Sequence, residues 1–554
     1  MSVAQRTEPV VEVAPRTPDV VMRLSRMGSA HPMRLSFLRV LLRRLENERW
    51  RFERTLWEVN DRGVGRAVYR AQGPFRTYSL VAFAHDLPDE MRSDRVIATA
   101  WDATFALVDG VPSPADLDRL SANVPLQEAG RISAKELSLS RANRSVRLFS
   151  HVVDRLAGGR QPDPAEIDAV GYLMRTTAVY GSGKFGAADR DEIAERPELT
   201  APFQAEMLSV WLIRAFTVDI AEHMARAKGG EKAVRLDRAL RRRLGVGNST
   251  GLGMAPFLVR HPRLLNNWMT ARETALARVR SLPEAEPAAV DDFWAALEEA
   301  RANALSWRSE HPTQIAKLAD LRGDLARLAE HVRSEWNCAA PMPWNTLWLW
   351  GEAHLSEEGQ ECLLALLIEP HGAVVDDLSD ALHADESAGF AIDGRMSIAR
   401  LRDILARDYA WLQRFDFADP AQVARFWYVS EEKLEPRLGN RYQESGQERE
   451  QPLGIARDVS LLAAALAQEA EDCPLSAFLL RRPEHRHSLR RVLALRGLPY
   501  AEIRDNILDD AMLPIDILRC KLAFFGATRF DPRSDRWVRI SLFQGQPYPD
   551  EMAG

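Results

Sequence analysis

Leucines and aromatic residues recur at helical spacing among arginines from Met33 to Trp57, which predicts a helix over that stretch. The period then changes. "RAVYRAQGPFRTYSLVAFAHD", from Arg66 to Asp86, holds two strand-like runs about a Gly73-Pro74 turn and, with the preceding Gly65, predicts a β hairpin near 65–84. Helical periodicity dominates from about residue 96 to 335. Within it, Asp163, Pro164 and Glu166 read as a capped helix start, with the helix running through "AEIDAVGYLMRTTAVY" and stopping at Gly181. Trp344, Trp348 and Trp350 follow in "PWNTLWLWGEAHL" and are expected to pack in a core. "ARFWYVS" and "DRWVRISLF" are short strand-like runs in the last third of the chain.

These elements predict a mainly α, multi-helix globular protein with minor β hairpin and strand elements. The expected organisation is a disordered tail over 1–20 and a mainly helical domain over 21–280. A linker over 281–292, "SLPEAEPAAVDD", then leads to a second mainly helical domain over 293–554. Colinear echoes point to an internal duplication: "HDLPDEMRSDR" with "EEKLEPRLGNR", and "AVYGSGKF" with "AFFGATRF". On that reading the second domain is a degenerate copy of part of the first.

Composition narrows the class. The chain has 554 residues, 46% hydrophobic and 27% charged, with a formal net charge of −6. That balance is ordinary for a globular protein and supplies no electrostatic reason for a nucleic-acid partner. "MLSVWLIRAFTVDIAEHMA" is the most apolar run, yet Arg214 and Asp219 interrupt it, so it reads as a buried helix and no membrane span is expected. Four cysteines without a CxxC fit a reducing compartment, and a cytoplasmic location is expected.

The candidate chemistry centres on "YGSGKFG", Tyr180 to Gly186. A phosphate-binding P-loop would need Ser or Thr after the lysine, and Phe185 stands there. Tyr180 and Lys184 have the YxxxK spacing that resembles short-chain dehydrogenases, but the glycine turn that should precede it, "GNSTGLG", comes later, and that reading is set aside. What stays is a glycine-rich turn with exposed amides beside a cation, a usable anion site. "SLSRANRSVRLFSHVVDRLAGG" predicts a helix with a basic stripe of Arg141, Arg144, Arg147, His151 and Arg155 beside an apolar one. "LGVGNSTGLG" places Gly247, Asn248, Ser249 and Thr250 in an expected ligand-contacting loop. His85 ends the hairpin beside Asp86 and could serve as a general base. "HGAVVDDLSDALHADE" has no recognisable ligand spacing, and no metal site is expected.

The functional expectation is an enzyme acting on a small anionic metabolite: a carboxylate, sulfonate, phosphate or thioester. Tyr180, Lys184 and His85 would be catalytic, in a lyase-like acid/base reaction. Arg141, Arg144, Arg175, Gly247, Asn248, Ser249 and Thr250 would bind substrate. The alternative is a helical scaffold or regulatory binding module without catalysis. The expected partner is a small anionic ligand, with neither nucleic acid nor membrane; cofactor use and homo-oligomerisation stay open.

Overall fold

The computed structural model describes residues 12–86, 101–125, 133–176, 195–248, 262–308, 312–382, 392–414, 427–429, 434–436, 450–451, 456–504, 514–531 and 539–552. The chain divides into two compact units: a helical unit, Met1–Met33 with Leu252–Cys520, and a sheet unit, Arg34–Gly251 with Lys521–Gly554. Each is therefore assembled from two stretches far apart in sequence, where the expectation above divides the chain once, at 281–292. Helices predominate, and among the described residues none is long and apolar enough to cross a membrane.

The β content is larger than expected. The strands in chain order are β1 Arg51–Val59, β2 Gly65–Gln72, β3 Thr77–Ala84, β4 Ala103–Asp109, β5 Glu136–Arg144, β6 Tyr172–Thr176, β7 Gly245–Asn248, β8 Trp427–Val429, β9 Leu434–Pro436, β10 Glu450–Gln451, β11 Arg529–Asp531 and β12 Arg539–Leu542. In the sheet unit nine of them form one sheet in the order β1-β2-β3-β4-β5-β6-β7-β12-β11. Every neighbouring pair is antiparallel except β6 and β7.

Four expectations are corrected here. The Met33–Trp57 helix spans only Phe37–Asn47, and Arg49, in the left-handed region at φ 53°, turns the chain into β1. The Arg141–Arg155 stripe is not one helix: Arg141 and Arg144 lie on β5, and the helix begins at Val146. The helix from Pro164 is capped as expected, with Asp163 accepting from the Ala165 amide at 2.9 Å, but Gly171 at φ 79° ends it and β6 follows. The Gly245–Asn248 stretch is a fully buried strand, not a loop. Pairing on both flanks outweighs the low strand propensity of glycine there.

Two faces of the sheet are covered differently. The long Gln204–Gly229 helix, the apolar run expected to be buried, packs on one of them. Its Ser209 meets Ser138 at 2.8 Å, its Phe216 lies edge-on to Phe105, and its Asp219 accepts the Tyr69 hydroxyl at 2.6 Å. Arg214 sits inside this layer, donating to the Leu244 and Gln546 carbonyls at 2.8 Å over the Tyr548 ring. On the opposite face the Pro114–Asn123 helix docks Leu117, Leu120 and the following Val124 onto Val68, Val81, Phe83, Ala106, Val108 and Leu139. Arg119 of that helix anchors it to Glu136 at 2.8 Å.

In the helical unit, β10, β8 and β9 form a small sheet, and Trp344 and Trp348 are fully buried in the core. Arg16, within the stretch expected to be a loose tail, is itself buried. It donates to Glu273 and to Glu361, both at 2.8 Å. Most of the segments that carry the proposed duplication, including 87–95, 177–185 and 437–441, lie outside the described residues.

Candidate functional site

Register decides which of the expected site residues can meet. Directly paired residues in a sheet project to the same face, and residues two apart along a strand do likewise. Phe83 pairs with Thr104, Thr104 with Arg141, Asn143 with Arg175, and Arg175 with Gly247. So Thr104, Arg141, Asn143, Arg175 and Gly247 share one face at one end of the sheet, with His85 directly beyond the end of β3 on the same side and Asp102 just before the start of β4. This is the face that carries the Pro114–Asn123 helix, and the polar set begins where its contacts with Phe83 and Leu139 end.

His85 continues the ladder: its amide donates to the Asp102 carbonyl at 2.7 Å. Its Nε2 lies 3.1 Å from the Thr104 hydroxyl. Burial holds the imidazole below the ordinary histidine range, and the nearby Asp102 carboxylate only partly offsets this. A ring in that state is neutral at pH 7 and can accept a proton. Asp86, the acid beside His85 in sequence, is occupied elsewhere, paired with Arg62 at 2.6 Å. The carboxylate that matters to His85 is Asp102.

Asp102 is buried and held from three sides. It accepts the Arg144 amide at 2.6 Å and Arg144 Nε at 3.0 Å, and its own amide donates to Asn143 Oδ1 at 3.1 Å. Arg144 also reaches the His85 carbonyl at 3.4 Å and lies over the Phe149 ring. Its guanidinium is thus bound into the fold, against Asp102 and the His85 carbonyl. Arg141 is half-buried, its guanidinium stacked 4.0 Å from the centre of the Trp101 ring, a geometry that orients the planar fork.

Gly247 and Asn248 separate from this group. Arg175, on β6, is the register partner of Asn143 and stands beside the group, whereas Gly247 is on β7, four strands from β3, about 19 Å at ordinary strand spacing. One small ligand does not bridge that distance. Gly247 has a packing reason to be glycine: a Cβ there would lie 2.7 Å from the Tyr172 ring and 2.8 Å from Arg175 Cγ. Asn248 pairs with Ile540 and alternates onto the opposite face. Tyr180, Lys184, Ser249 and Thr250 lie outside the described residues.

The group that the structure brings together is therefore His85, Asp102, Thr104, Arg141, Asn143 and Arg144, over three adjacent strands. Asp102, Thr104 and Asn143 were not expected from sequence. Their one signal is polar residues at the entry and exit of otherwise apolar strands, as in "WDATFALVD". Comparison with known proteins adds no family to this geometry: no family model, no curated protein and no solved structure matches the chain.

Proposed function

We propose that the protein is an enzyme acting on a small anionic metabolite at the β3–β4–β5 strand ends. His85 is the proton acceptor and Arg141 holds the anion. The observation that carries this reading is a half-buried imidazole, held by desolvation below the ordinary histidine range, on the same sheet face as an oriented arginine. His85 touches Thr104, and Thr104 is the register partner of Arg141. A base that is neutral at pH 7, beside a cation that fixes a substrate carboxylate or phosphate, is the minimal set for abstracting a proton next to an anionic group. Asp102 and Arg144 keep that set in place. In a lyase reaction the electron pair left by that proton would form the double bond as a leaving group on the neighbouring carbon departs.

The test is a thermal-shift screen against small carboxylates, sulfonates, phosphates and acyl thioesters, with the wild type, Arg141→Gln and His85→Gln. A ligand at 100 times its dissociation constant stabilises by about 2.7 kcal/mol. One anion class should shift the wild type and His85→Gln but not Arg141→Gln, and its turnover should vanish in His85→Gln. A shift that survives Arg141→Gln overturns the assignment. A shift with no turnover in the wild type favours a binding module without catalysis.

A further inference from the structure

A second feature of the sheet unit lies at the other end of the strands. Arg51 pairs with Gln72 and Gln72 with Thr77, so this corner stands a full β3 length from His85, about 25 Å at strand rise. A cleft of about 1260 Å³ opens here. Its walls carry Arg34, Arg39, Arg43, Arg49, Arg51 and Arg70 against three glutamates, Glu46, Glu53 and Glu551. Among the described residues, arginines outnumber glutamates in this lining by six to three.

The local sequence explains why the arginines converge. The Phe37–Asn47 helix buries Phe37, Leu38, Val40, Leu41, Leu42 and Leu45, which leaves Arg39, Arg43 and Glu46 at spacings of four and three along its polar side. Arg43 is steered by a 2.7 Å bond to the Arg34 carbonyl. The turn at Arg49 and the first residue of β1 add two exposed cations. Two of the glutamates are already engaged. Glu53 stands 3.7 Å from Arg70, and Glu551 takes Arg238 at 2.7 Å and the Tyr548 amide at 2.8 Å. The floor is rigid and apolar: Trp50 stacks on Tyr78, and Phe52 meets Trp211 edge-on at 4.6 Å.

We propose that this cleft binds a small molecule carrying several phosphate groups, with its charge on the arginine forks and an apolar portion against Phe52, Pro547 and Met552. Planar guanidinium forks match phosphate oxygens two at a time, and several phosphate groups in one molecule can engage several of these forks at once. The site is separate from the strand-end group at His85, and its occupancy does not depend on catalysis there.

Isothermal titration of the full chain with inorganic tripolyphosphate tests this, at low salt and at 0.15 M salt. The expected result is saturable binding that weakens roughly tenfold in Arg39→Gln and in Arg51→Gln, the loss of one charge-assisted contact in each. Arg62→Gln, an exposed arginine outside the cleft, should bind as the wild type does. Inorganic monophosphate should bind more weakly than tripolyphosphate. Absence of binding to the wild type overturns the proposal. So does equal weakening in Arg62→Gln, or wild-type binding by both cleft variants. Arg51 is exposed on an edge strand, so its variant stays folded and keeps the test decisive.

Discussion

Asp102 grips Arg144 twice, taking the backbone amide on one carboxylate oxygen at 2.6 Å and the side-chain Nε on the other at 3.0 Å. Asp102 immediately precedes β4, Arg144 ends β5 and both are buried, so the carboxylate closes the β4–β5 corner and neutralises the guanidinium together. Asp102→Asn keeps the shape but removes the charge that faces the buried guanidinium. It should cost about 3–5 kcal/mol of stability. Denaturant unfolding followed by fluorescence measures this, and a loss below about 1 kcal/mol would show that the corner is held by other contacts.

His85 should make the protein sensitive to mild acid. Its folded-state pKa lies below the unfolded value of about 6.5, so its contribution to stability is complete above that pH. As pH falls below about 6.5 the unfolded chain takes up the proton first, and stability declines toward the folded pKa. Histidine Cε1 resonances followed by NMR should place His85 below the exposed histidines. His85→Gln should flatten the slope of stability against pH between about 7 and 5.5, and an unchanged slope would assign it to another group.

The two glycines of β7 should differ in their tolerance of a methyl group. At Gly247 an added Cβ meets side-chain atoms of Tyr172 and Arg175. At Gly245 it meets the Leu542 carbonyl oxygen at 2.3 Å, and backbone in a paired strand has nowhere to go. Gly247→Ala should cost about 1–3 kcal/mol, and Gly245→Ala should cost more. Thermal denaturation of the two variants checks the order. A harmless Gly245→Ala would mean that β12 does not lie against β7 in this register.

In the helical unit, Arg16 holds two buried carboxylates at once. Burial alone would raise the Glu361 pKa, yet Arg16 and Arg272 outweigh it and keep the carboxyl below its usual range. The stability this supplies is complete above the unfolded glutamate pKa of about 4.3 and is lost as pH falls through the lower folded value. Arg16→Ala removes one of the cations shared by Glu273 and Glu361, leaves Arg272 to serve both, and should cost about 3 kcal/mol near pH 7. The deficit should shrink below about pH 4 as the carboxylates protonate. Urea titrations at neutral pH and at about pH 4 measure both, and equal deficits at the two pH values would contradict the ion-pair account.

Local signals in the chain were legible where short-range chemistry decides. The Asp163 cap, the β2–β3 hairpin, the buried Gln204–Gly229 helix and the core tryptophans follow from spacing and turn residues. The β5 strand did not, because Arg141, Arg144, Arg147, His151 and Arg155 satisfy a helical stripe even though "ELSLS" alternates with the period of a strand. Nor did β7, whose glycines look like a loop until Ile540 and Arg175 are placed on its two sides. The site shows the same division. His85 and Arg141 stand out by residue type, whereas Asp102 and Thr104 gain meaning only from the cross-strand register that brings them to His85.

The pairing of Asn248 with Ile540 also has a temporal consequence during biosynthesis. About 290 residues separate the partners, and at ribosomal rates of roughly 5–20 residues per second the second arrives some 15–60 s after the first. Throughout that interval the outer edge of β7 has no strand to pair with, an open template for another nascent chain. The entire helical stretch from 252 to 520 is made while that edge waits, so the sheet unit completes late, and a chaperone that shields strand edges during translation should raise the yield of the folded protein.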